Sequence, residues 1–181
     1  MTPPLRGIVL IGMRGAGKTT VGSLLAGKMG WTFDDVDDHA LGRSGLRSVR
    51  DVFAQRGEPA WRALEAEAIR DVIDRLTARG GCAVVAVGGG AQCDTSSAAE
   101  LQRARANGWR IVWLHTSLPK LVERLTASEG DRPRLTNEPF DQELASLDAA
   151  RRSSYESLAD LSVDGDAAPA AVCAALASVL S

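Results

Sequence analysis

The sequence predicts an α/β fold: three layers, α/β/α, with a central five-stranded parallel sheet between helices. Two observations predict it. Five short runs of aliphatic and β-branched residues alternate with longer segments of helical periodicity, the pattern produced when each strand is followed by a crossover helix. A glycine-rich turn also joins the first run to the first helical segment. The chain has 181 residues, enough for one ordinary core, and no repeat, low-complexity tract or linker divides it. Residues 1–181 are therefore expected to form a single domain.

The elements follow in order. "GIVLI" (7–11) is the first strand, and "TTVGSLLAGKMG" is a helix closed by Gly30. "TFDDV" (32–36) is the second strand. "EPAWRALEAEAIRDVI" starts a helix at Pro59, a residue suited to a first turn, with Trp61, Leu64, Ala68 and Val72 on one stripe. Arg62 and Glu65 are spaced i, i+3 on it, as in an exposed ion pair. "AVVAV" (83–87) is the third strand, and "SAAELQRARANG" is a helix opened by the capping box Ser97-x-x-Glu100 and closed by Gly108. "RIVWLH" (110–115) and "LSV" (161–163) complete the sheet. Between them, "FDQELASLDAARRSSYESLADL" has Leu144, Leu147, Arg151, Tyr155 and Leu158 on one inward stripe, with Arg152 one residue round toward solvent. "DAAPAAVCAALASVL" is a terminal helix covering the sheet. The polar, proline-containing "TASEGDRPRLTNEP" (126–139) has little to pack and is expected to be a mobile lid.

Composition excludes several classes of function. A net charge of −2 with 45% hydrophobic residues describes a globular chain, not a disordered tail or a basic nucleic-acid binder. The apolar runs "IVLIG" and "AVVAVGGGA" are too short for a bilayer and "MTPPLRG" has no long apolar segment, so a cytoplasmic protein without a membrane partner is expected. Cys82, Cys93 and Cys173 form no CxxC pair, and His39 and His115 stand apart from them, so reduced structural thiols are expected, not a zinc site.

Residues Gly12 to Thr19, "GMRGAGKT", fit GxxxxGK[ST] with a strand before and a helix after. Glycines let backbone N–H groups turn inward around phosphate oxygens, and the helix N-terminus adds positive potential. Lys18 reaches the β and γ phosphates and Thr19 is a ligand for Mg²⁺. A nucleoside triphosphate, ATP, is the implied ligand. No NKxD motif points to guanine.

The acceptor should sit beyond the carboxyl ends of the strands. Asp34, Asp35, Asp37 and Asp38 cluster around Val36 after the second run, where a carboxylate either holds metal-bound water, takes a hydroxyl proton, or caps the next helix. Gly88-Gly89-Gly90 after the third run suggests close approach of backbone to something bound. Arg151, on an inward stripe, requires an anion from the protein or from a ligand.

Together these residues resemble the shikimate kinases, small P-loop kinases of the nucleoside monophosphate kinase type, over nearly the whole chain. "GMRGAGKTT" resembles their Walker A loop, Asp35-Val36-Asp37 their DxD, and Trp61-Arg62 with Glu65 their aromatic-Arg-x-x-Glu helix. Gly88–Gly90 resembles their glycine triad and Asp131-Arg132-Pro133 their lid motif. The resemblance implies a phosphoryl transfer from ATP to the 3-hydroxyl of shikimate, with Mg²⁺ as cofactor, a step toward chorismate and the aromatic amino acids, by a monomer. It implies that Gly12, Arg14, Gly15, Ala16, Gly17, Lys18, Thr19, Thr20, Arg124 and Arg132 bind ATP, and that Thr19 and Asp35 serve the metal. Asp37, Arg62, Gly88, Gly89, Gly90 and Arg151 would bind shikimate, with Arg62 and Arg151 clamping its carboxylate. Lys18, Asp37 and Arg132 would be the catalytic groups, and the lid would span about residues 126–139 with substrate helices over about 34–75. Two rivals keep the fold: a gluconate or nucleoside monophosphate kinase, and a silent regulator that binds nucleotide or shikimate. Lys18, both aspartates and Arg132 are all present, which disfavours the second.

Overall fold

The computed structural model describes residues 4–127 and 139–180. Five strands, β1 (Gly7–Ile11), β2 (Thr32–Asp35), β3 (Ala83–Ala86), β4 (Trp109–His115) and β5 (Leu161–Asp164), form one sheet in the order β2-β3-β1-β4-β5. Every pairing is parallel. Seven helices accompany them: α1 (Lys18–Met29), α2 (Val36–Ser44), α3 (Val49–Arg79), α4 (Thr95–Ala106), α5 (Leu118–Ala127), α6 (Phe140–Leu158) and α7 (Pro169–Leu180). All residues of β1 and β3 are buried, as a parallel sheet covered on both faces requires. α1 packs with α7 and α3 with α4, giving the two helical layers.

The strand order places the site. From β1 the chain runs to one side of the sheet through β2, and from β3 it crosses to the other side, to β4. The carboxyl ends of the adjacent strands β1 and β3 therefore flank the switch point, where a crevice opens. Both glycine-rich segments lie there, residues 12–17 after β1 and residues 88–90 after β3.

Four local details differ from expectation. Asp94, not Ser97, caps α4: its carboxylate accepts from the Ser97 backbone N–H at 2.9 Å, which starts the helix three residues earlier. Glu100 is consequently not a capping partner and instead binds Arg70 and Arg103 at 2.8 Å each. β2 ends at Asp35, and Val36 already opens α2, because the Asp35 carboxylate caps that helix by accepting from the Asp37 N–H at 3.0 Å. Finally, α3 begins at Val49 behind the N-cap Ser48, with a break at Gly57 (φ 80°), so Pro59 stands in the first turn of its second half. Arg43, Arg70, Arg75 and Arg103 tie α2, α3, α4 and β2 together through Asp71, Glu100, Asp34 and Asp74. The lid segment falls outside the described residues over 128–138. No helix among the described residues is long and apolar enough to cross a membrane.

Candidate active site

The donor half is built on the loop after β1. Gly12 (φ 145°) lies so close to β4 that a Cβ there would come within 2.6 Å of the Leu114 carbonyl oxygen. Gly17, in the left-handed region, is the N-cap of α1 and brings no side-chain acceptor, so nothing of its own competes for the first N–H groups of the helix. The Lys18 ammonium folds over the loop, donating to the carbonyls of Gly12 (2.8 Å) and Met13 (3.0 Å). An open cleft of ≈ 660 Å³ runs from Gly15–Val21 past Arg124 to Gly165–Pro169. Arg124 spans its floor, donating to Ala16 O at 3.1 Å and Gly165 O at 2.9 Å, which joins α5 to both loops. Thr20 lines the same cleft.

Next to the lysine is a smaller cavity of ≈ 150 Å³ lined by Arg14, Lys18, Thr19, Asp35, Asp37, Val87 and Gly89. The Thr19 hydroxyl donates to the second oxygen of Asp35 at 2.7 Å. The aspartates divide by partner: Asp34 faces away, bound to His39 (2.7 Å) and Arg75 (2.9 Å), and Asp38 is exposed. Asp35 and Asp37 are the pair that lines the cavity. A hydroxyl and a carboxylate side by side suit a hard cation. No cluster of three or more His, Cys, Asp or Glu among the described residues makes an all-protein cage. That is the donor set expected where a magnesium ion keeps waters and phosphate oxygens as its other ligands.

The acceptor half lies across Gly88–Gly90, in a cavity lined by Met13, Arg14, Phe53, Trp61, Arg62, Gly89, Gly90 and four residues of α6: Glu143, Leu144, Leu147 and Arg151. Trp61, wholly buried, anchors α3 so that Arg62 is held at the rim of the cavity. Arg62 is no exposed partner for Glu65: its side chain is 15% exposed and Glu65 0%, with Nη1 to Oε2 at 2.7 Å and a second bond to Glu58 at 2.8 Å. Burial alone would favour the neutral guanidinium, but the two carboxylates outweigh it and push Arg62 higher. For Glu65, burial wins and pushes the carboxyl above its ordinary range despite Arg62.

The three glycines are required for space, since their φ angles are not left-handed. A Cβ on Gly88 would overlap Glu65 Oε1; on Gly89 it would lie 2.7 Å from the Arg14 backbone nitrogen, and on Gly90 2.6 Å from Arg62. The close approach is thus made by the protein's own groups. Gly89 also offers its carbonyl to Arg151 (2.9 Å) and to the buried Tyr155 hydroxyl (2.7 Å). Burial holds that hydroxyl protonated.

Lys18, Thr19, Asp35, Asp37, Arg62, Gly89 and Arg151 are therefore brought together at the switch point. Arg132 lies outside the described residues. Two placements differ from expectation. The Arg14 side chain lines the acceptor cavity, not the donor cleft, and Arg152 is not simply solvated: it pairs with Asp148 at 2.8 Å and lies over the Trp113 ring at 6.0 Å. Sequence reasoning missed the loop Gly165–Pro169, although it follows the carboxyl end of β5, where the strand-end rule would have found it. It also missed Glu143, whose place one residue before Leu144 gave no periodic signal.

Comparison with known proteins identifies the family. The family model described as shikimate kinase matches residues 14–181. Shikimate kinase 2 of Sodalis glossinidius is 38% identical over 171 residues, covering 93% of this chain and 92% of that protein. The shikimate kinase of Acinetobacter baumannii, solved in complex with shikimate, superposes with a TM-score of 0.83 at 28% identity over 97% of this chain and 93% of that one. A gluconokinase from Sinorhizobium meliloti reaches 0.53 at 23% identity, over 99% and 96% of the two chains, and shares the fold alone. On the match of the family model and the similarity of its relatives, the chain belongs to the shikimate kinase family.

Proposed function

We propose that the protein transfers the γ-phosphoryl group of ATP to the 3-hydroxyl of shikimate, giving ADP and 3-phosphoshikimate. The observation that carries this is the joining of two half-sites at Gly89: a phosphate-binding loop with its lysine on one side and an arginine-bearing, half-apolar cavity on the other. The lining of that cavity suits a hydroxylated carboxylic acid, with its ring against Phe53, Trp61 and Leu147 and its carboxylate against Arg62 and Arg151. The acceptor hydroxyl then points toward the smaller cavity, where Asp37 holds it and takes its proton.

On the donor side, backbone N–H groups of Gly12–Thr20 hold the triphosphate in the ≈ 660 Å³ cleft, and Arg124 closes that cleft beside the nucleoside. Lys18, whose bonds to Gly12 and Met13 are to backbone carbonyls, swings to the β and γ phosphates when they arrive. Thr19 and Asp35 would hold Mg²⁺, directly and through water; the ion supplies neutralisation of charge on the β and γ oxygens. Glu65 positions Arg62, and Gly88–Gly90 give backbone contacts to the ring hydroxyls. Arg132, which lies outside the described residues, would stabilise the phosphoryl group in flight. Both half-sites come from one chain, which supports a monomer as the working unit.

ADP release measured with shikimate, gluconate and nucleoside monophosphates in parallel, with and without a magnesium chelator, tests the reading. Magnesium-dependent turnover with shikimate supports it; turnover only with another acceptor overturns it.

A further inference from the structure

We infer that Arg14, although part of the phosphate-binding loop, is an acceptor-specificity residue whose guanidinium joins Arg62 and Arg151 in recognising the acceptor carboxylate. This rests on the acceptor-side reading above and adds to it a third cation.

Placement is the first argument. The donor cleft is lined by Gly15 through Val21 but not by Arg14, whereas Arg14 lines both the acceptor cavity and the ≈ 150 Å³ cavity beside Lys18. Among the described residues, Arg14 and Gly89 line both of these, so Arg14 is the side chain at their junction. Its guanidinium lies 5.9 Å from the Phe140 ring centroid in the first turn of α6, a contact on the acceptor-cavity side of the loop.

Charge is the second. Arg62 already has Glu65 and Glu58 as counter-charges. Arg14 and Arg151 line one cavity with the buried Glu143. Burial disfavours the Arg14 charge, Glu143 offsets this, and Arg151 opposes it again, so the two guanidinia are close enough to repel. Among the described residues that line this cavity, Glu143 is the one carboxylate beside Arg14, Arg62 and Arg151, and a planar anion between the guanidinia offsets their repulsion.

Residue type is the third. Phosphate is gripped in such loops by backbone N–H groups, which need no side chain at position 14. An arginine there is costly to desolvate unless its fork meets a carboxylate or phosphate.

Steady-state KM values for shikimate, shikimate methyl ester and ATP, measured on the full chain and on Arg14→Met and Arg14→Lys, test this. Arg14→Met is expected to raise the shikimate KM about tenfold with the ATP KM changed less than about twofold, the loss of one charge-assisted contact. Arg14→Lys should recover part of that, having the charge without the fork. The ester, lacking the carboxylate, should show the same KM with either residue. An unchanged shikimate KM, a rise confined to ATP, or parallel rises for both substrates and the ester would overturn the assignment. Failure of the unsubstituted protein to use shikimate would instead overturn the acceptor reading itself, and it is seen before any substitution is made.

Discussion

Substituting alanine for Gly88 places a methyl group where the Glu65 carboxylate lies. The new Cβ would overlap Glu65 Oε1 and stand 2.9 Å from Asp37 Oδ1. Glu65 has little room to retreat, being fully buried with its other oxygen bound to Arg62 at 2.7 Å. Forcing a packed group aside costs about 1–3 kcal/mol. Complete rupture of a buried ion pair, with one charge stranded, costs about 3–5 kcal/mol. A Glu65 that shifts but stays near Arg62 falls between these, so about 2–3 kcal/mol of stability should be lost. Gly88 has no left-handed φ, so none of this comes from the backbone. Urea unfolding followed by the fluorescence of the four tryptophans reads it directly. Gly42→Ala is the control: it lies in α2 with no heavy atom within 4 Å of a built Cβ, and should gain about 0.5–1 kcal/mol from reduced chain entropy. Because Arg62 shifts with Glu65, the shikimate KM of Gly88→Ala should also rise, by about tenfold. Wild-type stability and wild-type KM in Gly88→Ala would refute the claim that the glycine makes room for the Glu65–Arg62 pair.

Two further outcomes follow from charge. Arg132→Ala should lower kcat by about 10²-fold, the effect of removing one preorganised donor to a charge that develops in the transition state; single-turnover phosphoryl transfer measures it, and an unchanged rate removes Arg132 from the chemistry. For Glu100, burial works against ionisation, but Arg103 and Arg70 win and hold its carboxyl below the ordinary range. A depressed carboxylate contributes stability above its unfolded pKa and loses it as pH falls through the folded value, so Glu100→Gln should destabilise at neutral pH, by about 1 kcal/mol at most after screening, and converge with the parent only as pH falls below the ordinary carboxylate range. Denaturation midpoints across pH 3–8 would show it, and a pH-independent gap would contradict it.

The layers and sheet were legible because β1, β3 and β4 are short aliphatic or aromatic runs and the glycine turns break the pattern at the ends of β1 and β3. The phosphate-binding loop was legible for a similar reason: its chemistry is local, and residues 12–19 are contiguous. The acceptor half was less so, because its geometry depends on contacts between distant segments. Arg62 and Glu65 looked like a surface pair, since i, i+3 spacing says which residues meet but not that Trp61 and the Gly88 backbone bury them. Asp94 was overlooked as a cap because Ser97-x-x-Glu100 presents a complete motif in competition, and only the tertiary pull of Arg70 on Glu100 reveals why it goes unused. Arg14 was assigned to the donor by its place in the loop; the Phe140 ring and the Glu143 charge that its side chain meets come from over a hundred residues away.

The claim that this site joins an ATP half to a hydroxy-acid half is tested most directly by phosphorus NMR of the products formed from ATP, Mg²⁺ and shikimate. The account predicts one new phosphomonoester, coupled to the proton on ring carbon 3, in equal amount with ADP. ADP accompanied only by inorganic phosphate, or an ester on a different hydroxyl, would contradict it.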